Sequence, residues 1–328
     1  MAPHERAIAA VVYNPTKITR DELESAVAPV ALAAGFGPTL WLETTPEDAG
    51  GDAARRALAA GAQVVMAAGG DGTVREVAEQ LRSSDIPLAL LPSGTGNVLA
   101  LNLDMGKFTL ERAVDVAFHG ITKKIDVGQL VLEDPDGHTM QHTFLVAAGL
   151  GLDAATMEET RPEAKQKVGV LAYAEGGLRA FMKSRRTPVR IAIDDRRPFA
   201  EKVHMVLVAN CGSYPPSLVL LPDAAIDDGI LDVLYVGART FWGWLRLWGR
   251  VAVDNRIILH QRSSRRAVSW RTWKSKAFEY ARGHAVTIHP ETPLPCQIDG
   301  DTFGEATRMR FWIDPASLAV RVHSAKSA

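Results

Sequence analysis

The sequence predicts an α/β domain built on a parallel sheet, followed by a mostly β domain. Three observations predict it. Through about residue 125, short apolar runs alternate with helical patterns, as in a parallel sheet covered by helices on both faces. Beyond Ile125, short β-rich runs separated by turn residues succeed one another, the pattern of an antiparallel sandwich or barrel. The length of 328 residues exceeds what a single core covers, roughly 250–300 residues.

In the first part, Ala7–Tyr13 reads as a buried strand, and Thr19-Arg-Asp-Glu22 is a capping box that opens a helix through about Ala34. Thr39–Leu42 is a short strand, Asp48–Ala60 a helix and Ala62–Ala67 a second buried strand. Thr73–Arg82 is helical, Pro87–Leu91 is a strand, and Asn97–Leu103 and Lys107–His119 are helical. In the second part the expected strands are Ile125–Leu132, His142–Ala148, Val189–Ile193, Val203–Ala209, Ile230–Val236, Ala285–His289 and Met309–Ile313. A helical stretch over Glu163–Met182 interrupts them. The expected domains are 1–125 and 126–328, with the extreme C-terminus packing back on the first.

Composition narrows the class. An apolar fraction of 47% with 23% charged residues excludes a largely disordered chain. With 37 basic and 38 acidic side chains, net charge selects no partner. Two cysteines, Cys211 and Cys296, make no disulfide framework, which fits a reducing compartment. The short apolar run behind one arginine at the N-terminus is too brief for a signal peptide. No apolar stretch approaches the ~20 residues that cross a bilayer. The expectation is a soluble, cytoplasmic protein.

The strand Ala62–Ala67 runs into Gly69-Gly70-Asp71-Gly72-Thr73, and a helix follows. Glycines let the backbone approach a ligand closely, and a helix N-terminus suits phosphate. Asp71 repels a phosphate directly, so its uses are holding magnesium or accepting a proton. A glycine cluster alone is as often an ordinary strand-to-helix turn. Pro92-Ser93-Gly94-Thr95-Gly96-Asn97 repeats the arrangement one α/β unit later, and Asn14-Pro15-Thr16-Lys17 ends the first strand. Three polar loops at three parallel strand ends converge on one edge, where such sheets bind nucleotides.

Gly69–Thr73, Gly94–Asn97 and the later Asp299-Gly300-Asp301 resemble the diacylglycerol kinase catalytic-domain family, which includes sphingosine and ceramide kinases and soluble bacterial lipid kinases. The motif order matches along nearly the whole chain. The resemblance implies a Rossmann-like nucleotide domain, similar to those of NAD kinases and phosphofructokinases, followed by a C-terminal β-sandwich domain for the lipid. It implies transfer of the γ-phosphate of ATP, with Mg2+, to a lipid hydroxyl, most directly diacylglycerol to phosphatidic acid. By the same resemblance, Asn14, Pro15, Thr16 and Lys17 form the first nucleotide loop, and Thr44 or Thr45 lies near the adenosine. Gly69, Gly70, Asp71, Gly72, Thr73 and Glu76 form the phosphate loop, with Gly94, Thr95 and Asn97 in the second loop. Asp126 resembles a carboxylate near the magnesium.

Composition alone makes Asp299-Gly300 a hairpin turn. The resemblance makes Asp301 the general base, with Asp299 and Asp71 as further candidates. The acidic turn Pro222–Ile230 reads as a solvated loop, but the family places a structural divalent metal there. Its ligands would be the Asp228 carboxylate and carbonyls near Ala225 and Ile230, hard oxygens suited to magnesium or calcium. Three positions depart from the family pattern. Lys17-Ile18 replaces Ser-Gly, Val98 stands where a second acid is usual, and Asp301 is one methylene shorter than Glu.

Residues 239–282 hold eleven Lys or Arg against Asp254 and Glu279, and five of the seven tryptophans. As a helix, Phe241, Trp244, Leu245, Trp248, Val251 and Ala252 share one face. A helix packed on its own sandwich has this pattern too. The segment as a whole favours an anionic membrane surface, which suits a water-insoluble lipid substrate and reversible association with the inner face of the membrane. Nucleic acid is not expected, because no recognition motif accompanies the charge. Oligomeric state is open, a homodimer included. The rival readings are an NAD kinase-like enzyme and a non-catalytic, membrane-associated nucleotide or lipid binder.

Overall fold

The computed structural model describes residues 7–93, 97–151, 185–214, 218–237 and 278–324, with Gly243, Gly249, Val251 and Val253 besides. The helix expected over Glu163–Met182 lies outside them. In chain order the first elements are β1 (Ile8–Tyr13), α1 (Arg20–Ala33), β2 (Leu40–Glu43), α2 (Gly51–Ala59) and β3 (Ala62–Gly69). Next come α3 (Asp71–Leu81), β4 (Leu88–Pro92), α4 (Val98–Asn102), α5 (Leu110–His119) and β5 (Ile121–Glu133). After them run β6 (Thr139–Phe144), β7 (Ala147–Gly151), β8 (Thr187–Ile193), β9 (Phe199–Val203) and β10 (Met205–Ala209). The last are β11 (Ser213–Tyr214), β12 (Leu218–Val219), β13 (Leu231–Val236), β14 (Phe278–Gly283), β15 (Ala285–Pro290), β16 (Leu294–Ile298), β17 (Asp301–Ala306) and β18 (Arg308–Val322). The chain divides into a first unit, Met1–Val127 with Pro315–Ala328, and a second, Gly128–Asp314.

In the first unit the strands run in the order β2-β1-β3-β4 and continue to β18, every ladder parallel. β1 and β3 are buried almost end to end, as strands covered on both faces must be. The helices follow from their caps. Thr19 accepts the Glu22 amide while Glu22 accepts the Thr19 amide at 2.9 Å, the capping box read in the sequence. α2 starts at Gly51 rather than at Asp48, because the Asp48 carboxylate accepts the amides of Gly50, Asp52 and Ala53 ahead of it. Ala9, Val11, Leu23, Val64, Met66, Leu91 and Val114 join one core between the sheet and the helices α1 and α5. β1 lies between β2 and β3, so the chain leaves it toward one side and returns on the other. This reversal opens a crevice at the carboxyl ends of β1 and β3.

The C-terminal half of β18 completes that sheet, with Leu318, Ala319 and Val320 buried and Val320 opposite Leu88. Only Met309–Ile313 reads as a strand in the sequence. The chain instead bends at Ala316, in the left-handed region at φ 50, and goes on. The bend is held by Asp126, 2% exposed, whose Oδ1 accepts the Ala316 amide at 2.7 Å. Replacing Asp126 with Ala strands that amide and is expected to cost about 2 kcal/mol, measurable by urea unfolding.

The second unit is a sandwich of antiparallel sheets. One has the order β14-β13-β10-β7-β16-β17, with every ladder antiparallel. The other contains the first part of β18 with β15, β8 and β9, again antiparallel. Leu130, Phe144, Leu150, Ile191, Val206, Val233, Ile288, Ile298 and Phe311 interdigitate in its core. The run expected as one strand over His142–Ala148 is two strands, β6 and β7, broken at Leu145 and Val146. Both cysteines are free and buried there, Cys211 and Cys296. Among the described residues, no helix is long and apolar enough to cross a membrane.

Candidate active site

Three of the predicted loops meet the carboxyl edge of the first unit's sheet. After β1, the Asn14 amide donates to the Ala68 carbonyl at 2.8 Å, which fastens this loop to β3. Asn14 Oδ1 accepts the Thr16 amide at 3.0 Å and the Thr16 hydroxyl at 2.7 Å, closing a turn around Pro15. Lys17 closes it further through its amide to the Asn14 carbonyl. After β2, Thr44 is buried and its amide donates to Tyr13 of β1, whereas Thr45 is exposed and its hydroxyl accepts the Asp48 amide. A Cβ on Gly51, which begins α2, would lie 3.7 Å from the Glu76 carboxylate of α3.

The glycine-rich turn joins β3 to α3. A Cβ at Gly69 would stand 2.6 Å from both Cβ and Oγ1 of Thr73. Glycine is therefore required for the helix to start so close to the strand. Gly69→Ala is expected to displace Thr73, which is 5% exposed and has nowhere to move. Urea unfolding should then show the variant less stable than wild type by about 1–3 kcal/mol, since overpacking so close a contact forces its neighbours to shift. At Gly70 an added Cβ meets nothing within 4 Å, so there is room over the helix start. Gly70 caps α3 without any side-chain hydrogen bond, and the first ladder bond runs from Val74 to Gly70. The amides of the first turn, Gly72 and Thr73 included, precede that ladder. Room above a positively polarised helix end fits a phosphate group.

Asp71 turns toward the second loop, its Oδ1 accepting the Val98 amide at 2.7 Å. Val98 thus serves through its backbone at the position where the family pattern has an acid. Asn97, just before α4, takes a left-handed conformation at φ 36. Ser93 reaches back to the Gly69 carbonyl at 3.4 Å. Gly94 and Thr95 lie outside the described residues.

In the second unit the structure separates the two acids of the Asp-Gly-Asp turn. Asp299 and Gly300 form a two-residue hairpin between β16 and β17, both with positive φ, 50 and 95, as a type I′ turn requires. The Asp299 carboxylate accepts three backbone amides: Leu145 and Val146 at 2.9 Å and Ala147 at 3.0 Å. That clamp is what interrupts the expected strand over 142–148. Asp301, two residues on, is exposed at the first position of β17. Near Asp299, burial pushes the Cys211 thiol and the Tyr214 phenol well up, and the Asp299 charge adds to both shifts.

The remaining expected metal ligands fall in two places. Asp126 holds the bend of β18, as described above. Asp228 faces Arg282, and its Oδ1 also accepts the Ile230 amide at 3.2 Å. The sequence places Arg282 in the basic segment, yet its side chain is only 16% exposed. Register explains the difference, since β14 carries it inward beside Asp232 of β13. Burial pushes the Asp232 carboxyl up to about 6, against the lowering effect of Tyr280 and Arg282. Apart from Gly243, Gly249, Val251 and Val253, residues 239–277 lie outside the described residues.

A family model described as the diacylglycerol kinase catalytic domain matches residues 9–130. A second, described as the YegS C-terminal NAD kinase beta sandwich-like domain, matches residues 146–322, more than half of the chain. The chain belongs to the diacylglycerol kinase-like lipid kinases. A Pseudomonas aeruginosa protein named "Probable lipid kinase YegS-like" is 34% identical to this kinase over 95% of the chain and 93% of that protein. A diacylglycerol kinase of Mycobacterium tuberculosis is 29% identical, covering 77% of this chain and 80% of its own. The crystal structure of a diacylglycerol kinase from Bacillus anthracis has the same fold, with a TM-score of 0.66 at 16% identity, covering 98% of this kinase and 99% of that chain. The expected fold, a nucleotide-binding-type α/β domain followed by a β-sandwich, is the fold of this family.

Sequence reasoning missed the polar groups that support the site. Asp48 as a helix cap and Arg282 as the partner of Asp228 and Asp232 carry no local motif. Asp48 did have a signal, an acid two residues before Gly50-Gly51. Arg282 had none, because its partners lie 50 and 54 residues away.

Proposed function

We propose that this lipid kinase uses ATP with Mg2+ and transfers the γ-phosphate to the free hydroxyl of diacylglycerol, yielding phosphatidic acid. The observation that carries the reading is the turn Gly69–Thr73. It brings an uncapped helix start, with room over Gly70, to the reversal point of a parallel sheet. Backbone amides at Gly70, Gly72 and Thr73 would hold the phosphates; Gly94, Thr95 and Asn97 belong to the second nucleotide loop by the family resemblance. Asn14, Pro15, Thr16 and Lys17 would form the first nucleotide loop, Thr44 would lie near the adenosine, and Glu76 belongs with the phosphate loop. Magnesium, when bound with the nucleotide, offsets the triphosphate charge. Asp71 offers a hard carboxylate oxygen that would hold it; Asp126, the second ligand by family resemblance, is buried and gives one oxygen to the Ala316 amide.

Asp301 is the proposed general base. Its exposure leaves it accessible to a lipid hydroxyl, whereas the oxygens of Asp299 already accept three amides. Asp299 is then a positioning residue that fixes the turn carrying Asp301. Asp71 keeps the phosphate loop and the second loop in register. Catalysis would consist mainly of positioning and electrostatics. The basic, tryptophan-rich composition of residues 239–282 supports docking on the anionic inner face of the membrane. The test is incubation with ATP and Mg2+ in the presence of diacylglycerol, ceramide, sphingosine and NAD, with products identified by mass. Phosphatidic acid is the expected product. Phosphorylated ceramide, sphingosine or NAD in its place would contradict the choice of substrate.

A further inference from the structure

The family pattern implies a divalent metal on the turn before β13, held by Asp228 with carbonyls near Ala225 and Ile230. The donor set found there does not fit one. Asp228 Oδ1 accepts the Ile230 amide at 3.2 Å, and its Oδ2 faces Nη2 of Arg282. Nε of the same guanidinium lies 3.2 Å from Asp232 Oδ1, which also accepts the Tyr280 hydroxyl. The Asp232 side chain is 0% exposed, Arg282 16% and Asp228 30%. Asp232 and Arg282 stand directly opposite one another in the β13–β14 ladder, so strand register fixes the guanidinium in this position.

We infer that Arg282 is the resident cation of this loop and takes the place a divalent metal would occupy. A guanidinium forks between two carboxylates in a way a compact ammonium does not, and here it ties the acidic turn to the sheet by two nitrogens of one planar group. A metal ion brought to Asp228 meets a fixed positive charge already on its oxygen. The loop of this chain therefore needs no metal. Any requirement for a divalent ion belongs to the nucleotide alone, and the inference holds whichever lipid is phosphorylated.

The test is thermal unfolding of the full chain without nucleotide, in EDTA, in Mg2+ and in Ca2+. Wild type is expected to unfold at the same temperature in all three. Arg282→Met leaves two acids facing each other, so it should unfold several degrees lower in EDTA and recover on adding Ca2+ or Mg2+. Arg282→Gln removes the charge while keeping a polar side chain and should show the same recovery with metal, which preserves the test if the Met variant fails to fold. A wild-type unfolding temperature that rises with either metal, with the rise abolished by Asp228→Asn, would overturn the inference. A folded Arg282→Met chain that ignores both metals would overturn it too, by removing the exchange of one cation for another. Because no lipid or ATP is present, failure here is distinguishable from failure of the proposed kinase reaction.

Discussion

Asp301→Asn is expected to lower kcat by about 100- to 10,000-fold, the range a positioned general base contributes. The fold should be retained, because Asp301 is exposed and the three-amide clamp is made by Asp299. The KM for ATP should stay within a factor of two or so, since the proton transfer concerns the acceptor alone. Steady-state kinetics beside a thermal unfolding curve checks all three statements. Asp299→Ala supplies the contrast. It leaves three amides without their acceptor, each worth about 1–3 kcal/mol when buried, so loss of stability should accompany loss of activity. Activity that survives Asp301→Asn but vanishes in a well-folded Asp299→Asn would exchange the two roles.

Asp71 carries the second large effect, and two substitutions divide its duties. Asp71→Asn keeps an oxygen for the Val98 amide, 2.7 Å away, but removes the charge. Asp71→Ala removes both. The alanine variant should lose about 100-fold or more in kcat/KM for ATP, because the second loop is freed by ~1 Å or more from its register with the phosphate loop. The asparagine variant should retain wild-type stability while requiring more Mg2+ for half-maximal rate, read from a magnesium titration at fixed ATP. Equal behaviour of the two variants would mean that the charge is everything and the tether nothing.

What the sequence disclosed and what it hid have the same physical origin. Local rules were legible. Buried apolar runs such as 62–67, the Thr19–Glu22 capping box and the Asp299-Gly300 turn each state their conformation within a few residues. The gathering of loops at the carboxyl edge was legible because glycine and polar loops stand at the ends of strands whose parallel order follows from alternation. Interactions between distant residues were not. Asp299 reaches back more than 150 residues to split β6 from β7, and Asp126 reaches forward 190 to bend β18. Charge composition groups Arg282 with its sequence neighbours as a surface cation, whereas β14 hands it to Asp232 on the preceding strand and Asp228 in the turn before it. Charge composition can find a basic segment. It cannot tell which of its members a strand register turns inward.

The most direct test of the central claim is transfer of radiolabelled γ-phosphate from ATP and Mg2+ into mixed micelles containing diacylglycerol, with NAD as a parallel acceptor. Wild type, Asp301→Asn and Asp71→Ala would be measured side by side. The account predicts label in a lipid that comigrates with phosphatidic acid, none in NAD, and losses of about 100-fold or more in both variants. Label appearing in NAD alone, or ATP bound by wild type with no label in any acceptor, would contradict it.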